Sequence, residues 1–131
     1  MDKGMQDAAM STVGWSEFAS GTVGLAAGQT LRLNVVNLSA AEARITHGLW
    51  TNPRPFSLGE DSFTLGPGEA RDFDLKHSDL AGELLDKTGR VQIRALVRSS
   101  TRMICGNLEV FDSKTGRTNV ILPLQAVVHR E

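Results

Sequence analysis

A short pattern, Leu-x-x-Gly followed by Gln or Glu and then by apolar residues at every second position, occurs twice in the chain, forty residues apart. Leu25-Ala26-Ala27-Gly28-Gln29-Thr30 leads into Leu31, Leu33 and Val35, and Leu65-Gly66-Pro67-Gly68-Glu69-Ala70 leads into Phe73 and Leu75. A period of two puts alternate side chains on one face of a sheet. Each copy therefore reads as a strand, a tight glycine turn and a second, half-buried strand. The pattern places the chain among small antiparallel sandwiches, a fold on which many unrelated functions are carried by grafted sites.

The remaining segments extend this reading. A first strand is expected over Ser16 to Leu25, weakened by Gly21 and Gly24. A second follows Leu31, Leu33 and Val35 to Asn37, and a third runs from Ala43 to Trp50 with Ile45, His47 and Leu49 on one face. The stretch from Thr51 to Gly59 carries Pro53 and Pro55, which remove ladder donors, and reads as irregular. Strands near Asp61 to Leu65 and Ala70 to Lys76 come next. His77 to Gly89 spaces Leu80, Leu84 and Leu85 as one or two helical turns crossing between sheets, with Ser78 or Asp79 as N-cap. Arg90 to Arg98 alternates most regularly, with Val91, Ile93, Ala95 and Val97 inward. Asn107 to Phe111 pairs through the turn at Asp112 to Arg117 with a last strand, Thr118 to Val128, in which Pro123 marks an edge or a bulge.

This pattern predicts an all-β, antiparallel immunoglobulin- or fibronectin-like β-sandwich of about seven to eight strands with one short helical crossover. A barrel is the lesser alternative. The absence of tyrosine removes the tyrosine corner of a true immunoglobulin domain, and the paired core cysteines are missing as well. A single domain is expected over residues 14–131, preceded by a disordered extension over residues 1–13. A chain of 131 residues buries roughly two thirds of its unfolded surface, enough for a core without disulfide staples. Cys105 stands alone, which excludes the disulfide-stapled secreted class and points to a small buried hydrophobe.

From Gly21-Thr22-Val23-Gly24-Leu25 through Arg90-Val91-Gln92-Ile93-Arg94-Ala95-Leu96-Val97-Arg98 and Leu108-Glu109-Val110-Phe111-Asp112 to Gly116-Arg117-Thr118, the chain resembles small bacterial immunoglobulin-like β-sandwich proteins of unknown function. The resemblance spans roughly residues 20 to 123 and implies a fold, with no catalytic or binding assignment. The Pro53 to Leu58 stretch is longer and more aromatic than a simple hairpin and is where a specific role can be added.

Function classes narrow by chemistry. Fourteen basic and fifteen acidic residues give a net charge of -1, so no nucleic-acid footprint is expected from the totals. No apolar run is long enough for a membrane span or a signal peptide, so neither is expected. No nucleophile elbow, phosphate loop, dinucleotide fingerprint or pair of ligand-spaced histidines occurs, and no cofactor is expected. A triad assembled in space around His47 or His77 is the weakest reading. Asp72, Asp74, His77 and Asp79 lack metal-site spacing and read as a polar face and helix entry, so no metal is expected. Arg94 and Arg98, with Arg44 and Arg32 on neighbouring strands, read as a solvated face answered by Glu42, Glu69, Asp72 and Asp74.

Two surface features remain. Trp50, Arg54 and Phe56 in a proline-stiffened loop can form an aromatic platform for a glycan or peptide ligand. The segment Asn119 to Val128 is more continuously apolar than an edge strand of a monomer. Either Pro123 lets the chain change sheets, or Leu124, Val127 and Val128 pair with a second copy. The expectation is a non-enzymatic interaction or assembly module, a homo-oligomer joined through its C-terminal strand, with a carbohydrate-binding module as the alternative.

Overall fold

In the computed structural model, which describes residues 14–128, the alternating segments form ten strands in two antiparallel sheets. The strands are β1 (Ser16–Ala19), β2 (Val23–Leu25), β3 (Gln29–Asn37), β4 (Ala43–Asn52), β5 (Ser57–Leu65), β6 (Ala70–Lys76), β7 (Val91–Ser99), β8 (Ile104–Asp112), β9 (Thr118–Pro123) and β10 (Gln125–Ala126). Sheet I has the order β10-β1-β7-β4-β5, with β2 also on β7, and sheet II the order β6-β3-β8-β9. The fold is a β-sandwich. The extension expected over residues 1–13 lies outside the described residues.

The count exceeds the expected eight because two segments are each divided. The first breaks at Ser20 to Thr22, and both pieces pair with β7. Ser20 fills the gap, its Oγ accepting from the Ala95 N–H at 2.8 Å and its N–H donating to the Ala95 carbonyl at 3.1 Å. The last segment breaks after Pro123, so β9 lies on β8 in sheet II and β10 on β1 in sheet I.

Both copies of the repeated turn cross from sheet I to sheet II, β2 to β3 and β5 to β6. Their hydrogen bonding is the same. Gln29 N–H donates to the Ala26 carbonyl and Glu69 N–H to the Gly66 carbonyl, both at 3.1 Å. The Gln29 side chain accepts from the Ala26 N–H at 2.8 Å, and the Glu69 carboxylate accepts from the Gly66 N–H. Gly28 and Gly68 hold the left-handed third position, at φ of 81° and 75°, which L side chains adopt only with strain. The Leu that opens each copy is buried.

The core is the seam between the inner faces of the sheets. Leu31, Leu33 and Val35 of β3 and Leu108 and Val110 of β8 meet Ile45 and Leu49 of β4 and Val91, Ile93, Ala95 and Val97 of β7. Asn37, fully buried at the end of β3, closes one end. Its Nδ2 donates to the carbonyls of Ala41 and Leu65 at 2.8 and 2.9 Å, and its Oδ1 accepts from the Ser39 N–H at 2.9 Å.

Several expectations are corrected. Cys105 is exposed: the parity that turns Ile104, Leu108 and Val110 inward turns Cys105 to the outer face, opposite Val36. The crossover after β6 consists of two 3-10 turns, His77–Asp79 and Gly82–Leu84, whose N-caps are Lys76 and Ala81, without side-chain capping, in place of Ser78 or Asp79. Strand β5 begins at Ser57, four residues before the expected Asp61, because the prolines are confined to the turn that precedes it.

Gly106 makes the final change of sheet possible. A Cβ there would run into the Asn34 carbonyl oxygen of β3 and lie 2.8 Å from Leu124 Cδ1. Leu124 N–H donates to the Gly106 carbonyl at 3.0 Å, and the leucine packs against the core as the chain passes from β9 to β10. Glycine in a strand interior marks such a close approach. Gly106→Val is therefore expected to destabilise the fold by about 1–3 kcal/mol, the usual cost of overpacking. Urea titration checks this, and an unchanged midpoint would contradict the packing role.

Candidate functional site

Strand parity decides where each candidate side chain goes. On β4, Ile45, His47, Leu49 and Thr51 face the core, so Trp50 is turned to the outer face of sheet I, where its cross-strand neighbour is Arg94. There it lies beside Gly48, whose Cβ would sit 3.2 Å from Trp50 Nε1. Trp50, Gly48, Glu60, Leu96 and Arg98 surround a notch of about 40 Å³, too small for anything beyond a water.

Arg54 and Phe56 belong to a different concavity. The turn after β4 contains a cis Asn52–Pro53 peptide and is clamped by Thr51. Its hydroxyl donates to the Arg54 carbonyl at 2.6 Å and accepts from the Phe56 N–H at 3.0 Å, while its own N–H donates to the Phe56 carbonyl at 2.9 Å. Phe56 is left 57% exposed. With Pro53, Arg54, Glu83 and Leu84 it lines a cleft of about 450 Å³. The platform of Trp50, Arg54 and Phe56 is thus divided between the sheet face and the end of the sandwich. Consecutive strand residues point to opposite faces, and the turn puts Ser57, not Phe56, across from Trp50.

The C-terminal candidates line a third region. Val127 N–H donates to the Glu17 carbonyl at 2.8 Å, so alternation of the antiparallel ladder turns the backbone groups of Ala126 away from β1. By the same alternation, the Leu124 bond to Gly106 directs the N–H groups of Leu122 and Val120 to β8 and leaves Ile121 and Pro123 facing outward. Pro123 thus has its missing donor on the open edge, where it costs no ladder bond. Ile121 and Val128 are 54% and 77% exposed, and Val120 and Val127 are exposed at the margin, whereas Leu124 is half-buried against the core. Val127 and Val128 line a cleft of about 450 Å³ with Trp15, Phe18, Arg102 and Ala126.

No protein-family model matches the chain, and no curated protein matches it. The fold has a solved counterpart. The chain is similar to the crystal structure titled Thermotoga maritima 1070, with a TM-score of 0.56 at 10% identity, over 89% of this chain and 97% of that one. At that identity the likeness shows the fold.

Sequence reasoning missed Trp15. Its ring lies 5.3 Å from the Arg44 guanidinium and 5.6 Å from that of Arg98, so it covers the arginine cluster expected on this face and flanks the C-terminal cleft. An isolated tryptophan before a short strand gave no signal, because the arginines that meet it are distant in sequence. The exposed Leu38 and Met103 were missed too. They extend the outer surface of sheet II beyond Val36 and Cys105, where Leu38 N–H donates to the Met103 carbonyl at 2.7 Å.

Arg32 departs from the expected cluster. It lies on sheet II, where its Nε and Nη2 grip Asp74 at 2.7 and 2.9 Å and its guanidinium lies 5.0 Å from the Phe111 centroid. The hydrogen bond and charge of Arg32 hold the Asp74 carboxyl below the usual carboxylate range, but both partners are over a third exposed, so solvent screens the pair to under about 1 kcal/mol. His77 Nε2 lies 2.8 Å from the Gly89 carbonyl, which anchors the crossover. Among the described residues, no group of three or more His, Cys, Asp or Glu side chains is placed to hold a metal ion.

The Thr51 hydroxyl is the device that fixes Phe56. Thr51→Val keeps the shape and removes both hydroxyl bonds. The expected outcome is a loss of about 1–2 kcal/mol in urea unfolding, with faster amide exchange at Phe56 than in β7. Unchanged exchange at Phe56 would show that the turn is held by its prolines alone.

Proposed function

We propose that this protein is a non-enzymatic interaction module that self-associates through the edge formed by β9 and β10. The observation that carries the reading is the run of exposed apolar side chains there, Val120, Ile121, Val127 and Val128, beside the cleft under Trp15. Arg102, in the loop by which the chain crosses from β7 of sheet I to β8 of sheet II, lines the same cleft. Exposed apolar side chains gathered along one edge mark interaction sites. β10 pairs with β1 of its own chain, and Pro123 interrupts the row of outward donors, so association proceeds by side-chain packing with at most short stretches of added ladder.

A second reading rests on Phe56. An exposed aromatic ring on a braced turn, with Arg54 and Glu83 beside it, offers an apolar plate flanked by hydrogen-bonding groups, the combination that suits the faces and hydroxyls of a sugar ring.

Sedimentation velocity over a roughly hundredfold concentration range tests the first reading. The native chain is expected to form a discrete oligomer that Ile121→Lys with Val127→Lys converts to monomer, because two exposed apolar contacts each contribute about 1–3 kcal/mol to a packed interface. Both positions are exposed, so the fold should survive. A native chain that is monomeric throughout would overturn the reading. For the second, glycan-array binding abolished by Phe56→Ala and retained by Trp50→Ala is the expected result, and a blank array would remove it.

A further inference from the structure

His47 is a titratable side chain on the inner face of β4, 4% exposed, and its Nδ1 has no hydrogen-bond partner. The imidazole lies between Phe63 of β5 and Phe73 of β6, with ring centroids 5.2 and 5.4 Å away. An ion pair joins those two edge strands, which belong to different sheets. Arg71 Nη2 of β6 donates to Asp61 Oδ2 of β5 at 3.2 Å, and the same guanidinium lies 4.4 Å from the Phe63 centroid. Asp61 is also the direct cross-strand neighbour of His47. The other contacts of this layer are apolar: Val97 opposite His47 on β7, Leu33 opposite Phe73 on β3, and Ile45 and Leu49 on β4 itself. Asp61 and Arg71 are the charged groups whose fields act on the imidazole, and Glu60 and Arg98 line a small notch beside His47.

We propose that His47, Asp61 and Arg71 form an acid-sensitive latch on the β5–β6 side of the sandwich, opposite the β9–β10 edge. While the imidazole is neutral, Asp61 pairs with Arg71 and the side is closed. A proton on His47 creates a buried cation that must be answered. Asp61, its cross-strand neighbour, turns to it, and Arg71 loses its partner and is repelled. β6 then loses its ion-pair tie to β5. Burial pushes the His47 imidazole below its ordinary value, Asp61 draws it up and Arg71 pushes it down. The open state therefore binds the proton more readily than the closed state. Closure is fully favoured above the ordinary histidine pKa of about 6.5 and weakens as pH falls below it. The latch does not depend on the self-association reading.

Amide hydrogen exchange of the whole chain between about pH 7.5 and pH 5, corrected for intrinsic rates, tests the latch. The expected result is a rise of about tenfold or more at β5 and β6 on acidification, with β7 and β8 unchanged. His47→Phe is expected to abolish the rise. The surface variants keep the test open if that variant fails to fold: Asp61→Asn and Arg71→Gln each remove the ion pair, so each is expected to raise exchange at β5 and β6 already at about pH 7.5 and to shrink the further rise on acidification. A uniform rise over all strands, a rise that persists in His47→Phe, or exchange indifferent to both surface variants would overturn the proposal.

Discussion

Everything in this molecule depends on the apolar seam between two sheets, each of which has only one face that water can tolerate. The inner rows of β3 and β8 and those of β4 and β7 alternate between full burial and partial exposure with almost no exceptions. Neither sheet can bury its own row. The favourable term is proportional to the apolar area removed from water, at about 25 cal/mol per Å², so the sheets are stable only face to face. The chain must then pass repeatedly between layers. It does so at Gly28, at Gly68 and over Gly106, where a side chain would either strain the backbone or fill the space that the crossing needs.

Polar groups in the interior show what this arrangement demands. Asn37 is wholly buried and fully engaged, its amide spanning the end of β3, the loop at Ser39 and Ala41, and the turn that begins β6. A buried amide with its partners in place specifies a local structure, because any other arrangement leaves donors and acceptors stranded. His47 is the contrasting case, a buried imidazole with one nitrogen unanswered and two opposite charges at its border. One residue fixes an end of the sandwich. The other makes one side conditional on protonation.

The edges carry what remains for function. A sandwich leaves four lateral strands, and here β5 and β6 are joined by an ion pair and aromatic contacts, whereas β9 and β10 present aliphatic side chains to solvent. An edge without inward charge or cover is the surface on which a partner gains most. Pro123 keeps that edge from becoming an unbroken template for strand addition, which favours a packed contact over open-ended assembly.

The sequence by itself determined the alternating strands, the two glycine turns, the inward row of β7 and the outward placement of Arg44, Arg94 and Arg98, because a period of two and a left-handed glycine are local properties. It also identified the C-terminal segment as too apolar for an ordinary edge. It offered a change of sheet at Pro123 as one of two outcomes and could not choose between them, since the change depends on Gly106, eighteen residues earlier, making room for Leu124. The exposure of Cys105, the separation of Trp50 from Phe56, the departure of Arg32 to the other sheet and the meeting of Trp15 with Arg44 and Arg98 were likewise decided only by tertiary structure. Composition and local pattern set which side chains are apolar or charged. Register and layer assignment, which join residues far apart in the chain, set which of them share a surface.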